Sequence, residues 1–407
     1  MIHAEARLNA SPPRLAIIGC GSSGLICLKT ALEKLAGWDV VCFERSGQIT
    51  GCWGNPYPGF VSTSTKYTTQ FACFPDRDAA VEPDSGRSRA EFFRGAEYGE
   101  YLSRFADAFK LHAHIKLRHQ VDRLVRSEEG TGWLVTYRAT AESNHSAAVS
   151  ERFDAVVICT GLAAQIKEIE SAIPRLPLAE LNSPQGIANI RQERIVVFGG
   201  GESAVDLASR LSQPELGNEV YLSLRTGVRV SPRYHPIRGV PSDFLRNRLM
   251  LSIHPALRNW IGQRFVEARI LHQERFEKWF PARRTPNKAA GRSDGQEPDV
   301  ELDRQALRKE WAYKLTKAAK DELFNMFHNK SDDFLDSVAL GRIKIVGPPV
   351  DSRLESFNHF ESQEQVSVRP TKILPAIGYK STLSAIAGDS LRLTDFYLGC
   401  CHVTFPD

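Results

Sequence analysis

Two strand, glycine turn, helix, strand patterns, at residues 14–45 and 194–226, predict an α/β fold with two Rossmann-like dinucleotide-binding domains. A mainly helical stretch from 240 to 330 adds a helical insertion. Of 407 residues 42% are hydrophobic and 25% charged, ordinary globular usage that excludes collagen-like, disordered and fibrous classes. The net charge of +4, from 52 Lys and Arg against 48 Asp and Glu, is too small a footprint for nucleic acid. The basic stretch from Arg225 through Arg229, Arg233, His235 and Arg238 to Arg246 and Arg248 reads as a solvated face, with a local anion site as the alternative. No run of about 18 apolar residues occurs, and MIHAEARLNASPPR lacks an apolar core. No integral membrane segment or secretory signal is expected, and the predicted location is cytoplasmic.

RLAIIGC at 14–20 is a short apolar run ending in glycine, predicted to be a buried strand. Leu25, Leu28, Leu32 and Leu35 follow at helical spacing up to Gly37, and DVVCFER forms the second buried strand. Residues 46–75 are rich in Gly, Pro, Ser and Thr and read as a long irregular segment of the kind that is usually functional. A helix is expected near 90–109, alternating strands around 114–138 and a buried strand at 154–161. At 194 the pattern restarts with RIVVFGGG, a helix presenting Ala204, Val205, Leu207, Ala208 and Leu211, and the strand EVYLSLR. The last helix of the insertion carries Leu307, Trp311, Leu315, Leu323 and Phe327 after a polar loop at 281–300; strands return at RIKIVGPPV and around VSVRPTKILPAIGY.

The first turn, Gly19-Cys20-Gly21-Ser22-Ser23-Gly24, is a GxGxxG between strand and helix. In such a turn the first glycine permits the bend, the second lets backbone approach a pyrophosphate, and the third lets helix pack on strand. The helix start supplies N–H donors and a positive dipole end. Glu44 lies 20 residues beyond Gly24 at the end of the next strand, where a carboxylate can accept ribose hydroxyls. The second turn, Gly199-Gly200-Gly201-Glu202-Ser203-Ala204, is a GxGxxA whose next strand ends in Leu224-Arg225-Thr226. Arg225 stands where an NAD-selective fold carries an acid, and a guanidinium suits bidentate recognition of a 2′-phosphate, so NADPH is expected over NADH. Glu202 suits the helix dipole but would repel a pyrophosphate, so its carboxylate is expected to point away from the phosphates. The opposite polarity at the two ribose ends suggests FAD first and NADPH second.

With these motifs the sequence resembles the flavin-containing monooxygenases and their class B flavoprotein monooxygenase relatives, from about residue 14 to the end of the chain. Five segments carry the resemblance: IIGCGSSGL with FER at 43–45; GCW at 51–53, similar to a turn near the flavin; STSTKYTTQFACFP at 62–75, similar to the segment lining the flavin, with Lys66, Gln70 and Phe71 in register; GGGESAVDLASRL with SLRTG at 223–227; and KILPAIGYK at 372–380. ICTG at 158–161 is similar to the family's crossover strand, and KSDDFLDSVALGRIKIV at 330–346 resembles its return into the FAD domain. The resemblance implies an FAD domain at 12–165 and 335–407 and an NADPH domain at 190–334 that includes the helical region 240–330, with a carboxyl end that reads as truncated. It implies Thr63 and Lys66 as catalytic positions. The implied cofactor-binding positions are Gly19, Gly21, Ser22, Ser23, Gly24, Glu44, Arg45, Gly51, Trp53, Gln70, Val121, Thr160, Gly161, Gly199, Gly201, Glu202, Ser203, Ala204, Arg225, Thr226, Gly378 and Tyr379.

The chemistry implied is hydride transfer from NADPH to FAD, reaction of reduced flavin with molecular oxygen, and oxygen transfer from a flavin C4a-hydroperoxide to a small nitrogen- or sulfur-containing substrate. The protein's task is then orientation and exclusion of water. Thr63 stands where family members carry asparagine, and 161–195 contains no histidine and so no Phe-x-Gly-x-x-x-His motif. These departures keep open an NADPH oxidase or flavin reductase that releases hydrogen peroxide, and a non-catalytic binding protein on the same scaffold. Cysteines at 20, 27, 42, 52, 73, 159, 400 and 401 show neither metal-ligand spacing nor a CxxC or CxxxxC pair, so no metal site or disulfide-reductase chemistry is expected. The partners expected are a small-molecule substrate and molecular oxygen, without nucleic acid; a homodimer is compatible with this reading.

Overall fold

The computed structural model describes residues 11–75, 91–127, 132–140, 147–161, 165–234, 241, 252–272, 275–276, 278, 298–320, 329–362, 364–380, 386 and 402–404. Its contacts divide the chain into two compact units, one of residues 1–56, 94–166 and 379–407 and one of residues 57–93 and 167–378. Among the described residues no helix is long and apolar enough to cross a membrane.

In the first unit the strand Arg14–Ile18 runs parallel between Asp39–Phe43 and Ala155–Ile158. Ile115–Lys116 extends the sheet past Asp39–Phe43, and His402–Thr404 pairs antiparallel with Ala155–Ile158 at the other edge. Leu15 to Ile18 are all buried, as expected of a parallel strand covered on both faces. The helix Ser22–Lys34 packs on these strands through Gly24, Leu25, Leu28 and Ala31, one face at helical spacing. Ala16, Ile18, Phe43, Val156 and Ile158 meet a three-stranded antiparallel sheet of His119–Arg126, Trp133–Ala139 and Val149–Phe153. In its central strand Trp133, Val135 and Tyr137 turn inward while Leu134 is exposed, the period-two alternation of a half-covered sheet.

In the second unit Arg194–Phe198 runs parallel between Glu219–Ser223 and Lys372–Pro375, and Ile343–Pro349 lies parallel beyond Glu219–Ser223. Ser356–His359 and Gln365–Ser367 add antiparallel strands, making a six-stranded sheet. The helix Glu202–Leu211 buries Ala204, Val205, Leu207, Ala208 and Leu211. The same core takes Leu315 from the helix Pro298–Ala318 and Phe334 and Val338 from Phe334–Ala339. The helical region also contributes Pro255–Leu271; the expected Leu323 and Phe327, and the loop up to 297, lie outside the described residues.

Three expectations change. The segment 330–346 does not return to the first unit, because Val220 pairs with Ile343 and Ser223 with Val346, which puts Ile343–Pro349 into the second sheet. Residues 335–378, and 57–93 as well, therefore cluster with the second unit rather than with 12–56. The irregular segment 46–75 contains a short helical turn at Gly51–Trp53, the strand Val61–Thr65 and the short helix Lys66–Thr69. The helix expected near 90 begins only at Glu97, since Phe92–Arg94 pairs with Val61–Thr65 and Gly95 breaks the chain direction at φ 48°.

Trp133 is 1% exposed at the centre of the first unit's core. Trp133→Ala should destabilise the protein by about 3–5 kcal/mol in denaturant unfolding. A loss well under 1 kcal/mol would mean that this core does not hold the antiparallel sheet in place.

Candidate functional site

The two glycine turns share one backbone construction. Gly19 has φ +97° and its N–H donates to the Phe43 carbonyl at 2.8 Å; Gly199 has φ +121° and its N–H donates to the Ser223 carbonyl at 3.2 Å. A Cβ on Gly19 would strike the Cys159 carbonyl oxygen, and one on Gly199 the Ala376 carbonyl oxygen. Each first glycine is thus held between the next strand and the late strand that lies beside it, Ala155–Ile158 or Lys372–Pro375. Gly21 and Gly201 are extended residues that start their helices without a side-chain cap, leaving the first N–H groups to a ligand or water. A Cβ on Gly201 would meet nothing within 4 Å, so space is open in front of that helix.

The turns differ at the third position and at the strand end. A Cβ on Gly24 would land on the Gly19 carbonyl oxygen, whereas Ala204 carries its methyl buried. Glu44 is buried, and its two carboxylate oxygens accept the Cys20 N–H at 2.8 Å and the Ser46 N–H at 2.9 Å. Gly51, at φ +57°, faces Gly21 closely enough that its Cβ would lie 3.2 Å from the Gly21 Cα. Beside it the Thr50 hydroxyl is buried with no hydrogen-bond partner among the described residues. In the second unit the equivalent strand end carries exposed Arg225 and half-buried Thr226.

A third feature is a set of buried charges around the strand Val61–Thr65 in the second unit. Arg233 is 8% exposed and donates to the Val61 carbonyl at 2.8 Å and the Ser62 carbonyl at 3.1 Å, while Asp332 holds its other guanidinium nitrogen at 3.1 Å. Lys330 is also buried; its Nζ donates to the Thr63 carbonyl at 2.5 Å and its N–H to Glu202 Oε2 at 2.9 Å. Upstream, the Tyr57 hydroxyl donates to Asp206 Oδ2 at 2.6 Å, and Arg210 donates to the Gly59 carbonyl. Burial, then the Asp206 charge, pushes the Tyr57 phenol well above its usual range, so it stays a donor. Burial likewise raises the Glu202 carboxyl to about 7, against the Lys330 N–H and the Arg233 and Lys330 charges, which favour its ionised form; Asp206 opposes them.

A model of the flavin-binding monooxygenase-like family matches residues 12–301. The chain belongs to that family. It is similar to a 4-hydroxybenzoate brominase (decarboxylating) of Marinomonas mediterranea, 26% identical over an alignment covering 66% of this chain and 51% of the relative. It is also similar to dimethylaniline monooxygenase (N-oxide-forming) 4 of Oryctolagus cuniculus, 27% identical over 64% of this chain and 48% of the relative. The chain thus spans about half the length of the curated relatives it matches. Among solved structures, an OTEMO complex with FAD and NADP superposes with a TM-score of 0.54 at 18% identity, covering 94% of this chain and 75% of that one. At that identity the likeness is one of fold.

Of the positions implied by resemblance to this family, the structure gathers Gly19, Gly21, Ser22, Ser23, Gly24, Glu44, Gly51 and Thr160 around the first turn, Thr160 by its Cα beside Gly19. Gly161 follows at φ +69° in open space, Arg45 is exposed, and Trp53 stacks edge-on against Tyr98 at 5.2 Å. Val121 lies in the hydrophobic core under the antiparallel sheet, so its side chain serves packing. Gly199, Gly201, Glu202, Ser203, Ala204, Arg225 and Thr226 gather at the second turn. Thr63, Lys66 and Gln70 belong to the second unit, where the buried Lys66 ammonium lies 5.3 Å above the Phe93 ring. Gly378 accepts the Lys167 N–H at 3.0 Å in the second unit, just after Ala376 and Ile377 pass the Gly199 turn, and Tyr379 pairs with Ile166 in the first.

Sequence reasoning missed Arg233, Asn329 and Lys330. The solvated face expected for the basic stretch does not hold for Arg233, which is buried on carbonyls. Glu202 directs Oε2 to the Lys330 N–H, a partner no spacing rule could supply.

Glu202 gives a signed pH test. Its carboxyl rises from 4.5 unfolded to about 7 folded. Stability from this group is therefore fully present below pH 4.5 and falls as pH rises toward 7, by on the order of 3 kcal/mol in all. Glu202→Gln keeps an acceptor for Lys330 without the charge. Its stability advantage over wild type in denaturant unfolding should grow from pH 4.5 to about 7 and then level off; an advantage independent of pH would refute the burial of this carboxyl.

Proposed function

We propose that the chain is an FAD- and NADPH-dependent monooxygenase that places one oxygen atom on a small soft nucleophile containing nitrogen or sulfur. The observation that carries this reading is the duplicated glycine turn with opposite charge at its two strand ends, Glu44 after the first and Arg225 after the second. FAD fits the first turn. Gly21 and Gly51 present bare backbone to each other, the Ser22–Lys34 helix start is uncapped, and the orphaned Thr50 hydroxyl is adjacent. Each Glu44 oxygen already takes one backbone N–H, but a carboxylate has about four lone-pair sites, so ribose hydroxyls can still be accepted.

NADPH fits the second turn, where Gly201 opens onto free space and the exposed Arg225 offers a planar fork of donors for a 2′-phosphate, with Thr226 beside it. The OTEMO complex holds FAD and NADP together, and the Oryctolagus relative's name specifies N-oxide formation, which supports a nitrogen centre as acceptor. Bound, the cofactors supply hydride and oxygen chemistry, and this chain's residues bind and orient them. Thr63 and Lys66 are the proposed catalytic positions. Thr63 has its carbonyl fixed by Lys330, and buried Lys66 follows the same strand at the head of the helix Lys66–Thr69.

The purified protein should be yellow, be bleached by NADPH and be restored by air, with oxygen uptake matched by product when a tertiary amine or a thioether is supplied. Hydrogen peroxide equal to the NADPH consumed, whatever the substrate, would instead mark an oxidase. Arg225→Ala removes a charge-assisted contact worth about 1.5–3 kcal/mol, so the KM for NADPH should rise roughly 10- to 150-fold with that for NADH nearly unchanged. Equal effects on both would remove Arg225 from the 2′-phosphate site.

A further inference from the structure

The residues 230–233 and 329–332 form one bracket. Val230–Ser231 pairs in parallel with Asn329–Lys330, the Ser331 N–H donates to the Ser231 carbonyl at 3.1 Å, and Asp332 closes on the Arg233 N–H at 3.0 Å. On one side the bracket grips the second glycine turn: Asn329 Nδ2 donates to the Gly200 carbonyl at 2.6 Å, and the Lys330 N–H donates to Glu202 at 2.9 Å. On the other it grips the strand Val61–Thr65 through the Arg233 guanidinium and the Lys330 ammonium, which take three successive carbonyls, Val61, Ser62 and Thr63. Asn329 is 3% and Lys330 8% exposed, so these contacts are shielded from competing water.

We infer that Asn329 and Lys330 are positioning residues that couple occupancy of the second dinucleotide turn to the backbone position of Thr63. The inference rests on the NADPH reading of that turn. A pyrophosphate at the helix start fixes the Gly199–Gly201 backbone; Gly200 then fixes Asn329, and Lys330, the next residue, fixes the Thr63 carbonyl. The charges next to the bracket make this path responsive. Glu202 lies at the end of the helix where the ligand's negative charge arrives. Arg233 and Lys330 face Glu202 with positive charge and Asp206 faces it with negative charge, so an added anion changes how firmly Glu202 holds Lys330. Coupling of this kind is reciprocal: whatever orders the strand Val61–Thr65 tightens the dinucleotide by the same factor.

The test is amide hydrogen exchange of the full chain with and without NADP+, following peptides that cover 61–65, alongside NADP+ affinity by titration. In wild type, NADP+ should slow exchange in 61–65 on the order of tenfold, a coupling of typical size. Lys330→Met keeps the backbone donor to Glu202 and the apolar stem but loses the ammonium; it should still bind NADP+, weakened by no more than about the tenfold of the coupling itself, while losing this protection. Lys330→Arg should restore most of it, which a merely structural defect would not. Should Lys330→Met fail to fold, Asn329→Ala serves, with the same loss of protection expected. Protection kept in the folded variant, or NADP+ binding to wild type with no change in 61–65, overturns the coupling alone. Failure of wild type to bind NADP+ overturns both the coupling and the assignment of the second turn.

Discussion

Two buried cations on main-chain carbonyls fix the strand Val61–Thr65 in the second unit. Removing an ammonium or a guanidinium from water is costly unless each N–H finds an acceptor. Arg233 offsets that cost with one acceptor for each guanidinium nitrogen, two carbonyls and Asp332, and Lys330 has the Thr63 carbonyl at 2.5 Å. The carbonyls come from Val61, Ser62 and Thr63, where the strand pairs with Phe92–Arg94. Their location dictates where the chain after Tyr57 must go. With Tyr57 bound to Asp206 and Gly59 to Arg210, this segment has more polar partners in the second unit than a glycine- and proline-rich stretch would suggest.

The two glycine turns show how one backbone solution accepts different chemistry at its periphery. The strand, bend and helix start are fixed by sterics: a positive φ at Gly19 and Gly199 and a carbonyl where any Cβ would lie. Nothing in those constraints specifies the residue at the end of the next strand. A carboxylate placed there at Glu44 is drawn inward by two backbone N–H groups, while a guanidinium at Arg225 stays in solvent. The inward carboxylate braces its own turn through the Cys20 N–H, so Glu44 supports the loop geometry as well as offering acceptors. Among the described residues Arg225 has no such bracing role, and it is exposed at its strand end.

Much of this is legible in the sequence because it depends on neighbours in the chain. Glycine spacing, the apolar strands on either side and the helix face of Ala204, Val205, Leu207, Ala208 and Leu211 all follow from local periodicity. The antiparallel strands around Trp133 are visible as alternation. Pairing between distant segments is not. Ile343–Pro349 is an apolar run that would suit either sheet, and only its register against Val220 to Ser223 decides. Val121, a cofactor position by resemblance, has its side chain in the core, which leaves its main chain to meet a ligand. Lys330 and Arg233 carry no motif, because a buried cation is recognised by the carbonyls it meets, and those lie 267 and about 170 residues away in sequence.

Glu202 shows why the helix start and the Thr63 strand should be treated as one electrostatic system. A carboxylate at a helix amino terminus is normally stabilised in its charged form by the dipole. Here burial outweighs that effect and lifts the group to about 7, so near neutral pH the carboxyl at the head of the Glu202–Leu211 helix is close to balance between two states. The Lys330 N–H favours the charged state, and Lys330 reaches Thr63 with its other end. A dianionic pyrophosphate brought to the same helix start favours the neutral state of Glu202 by repulsion. One lysine thus touches both places, its main-chain N–H on the Glu202 carboxylate and its ammonium on the Thr63 carbonyl, so a change in charge at the helix start is felt one residue from the group that holds the strand.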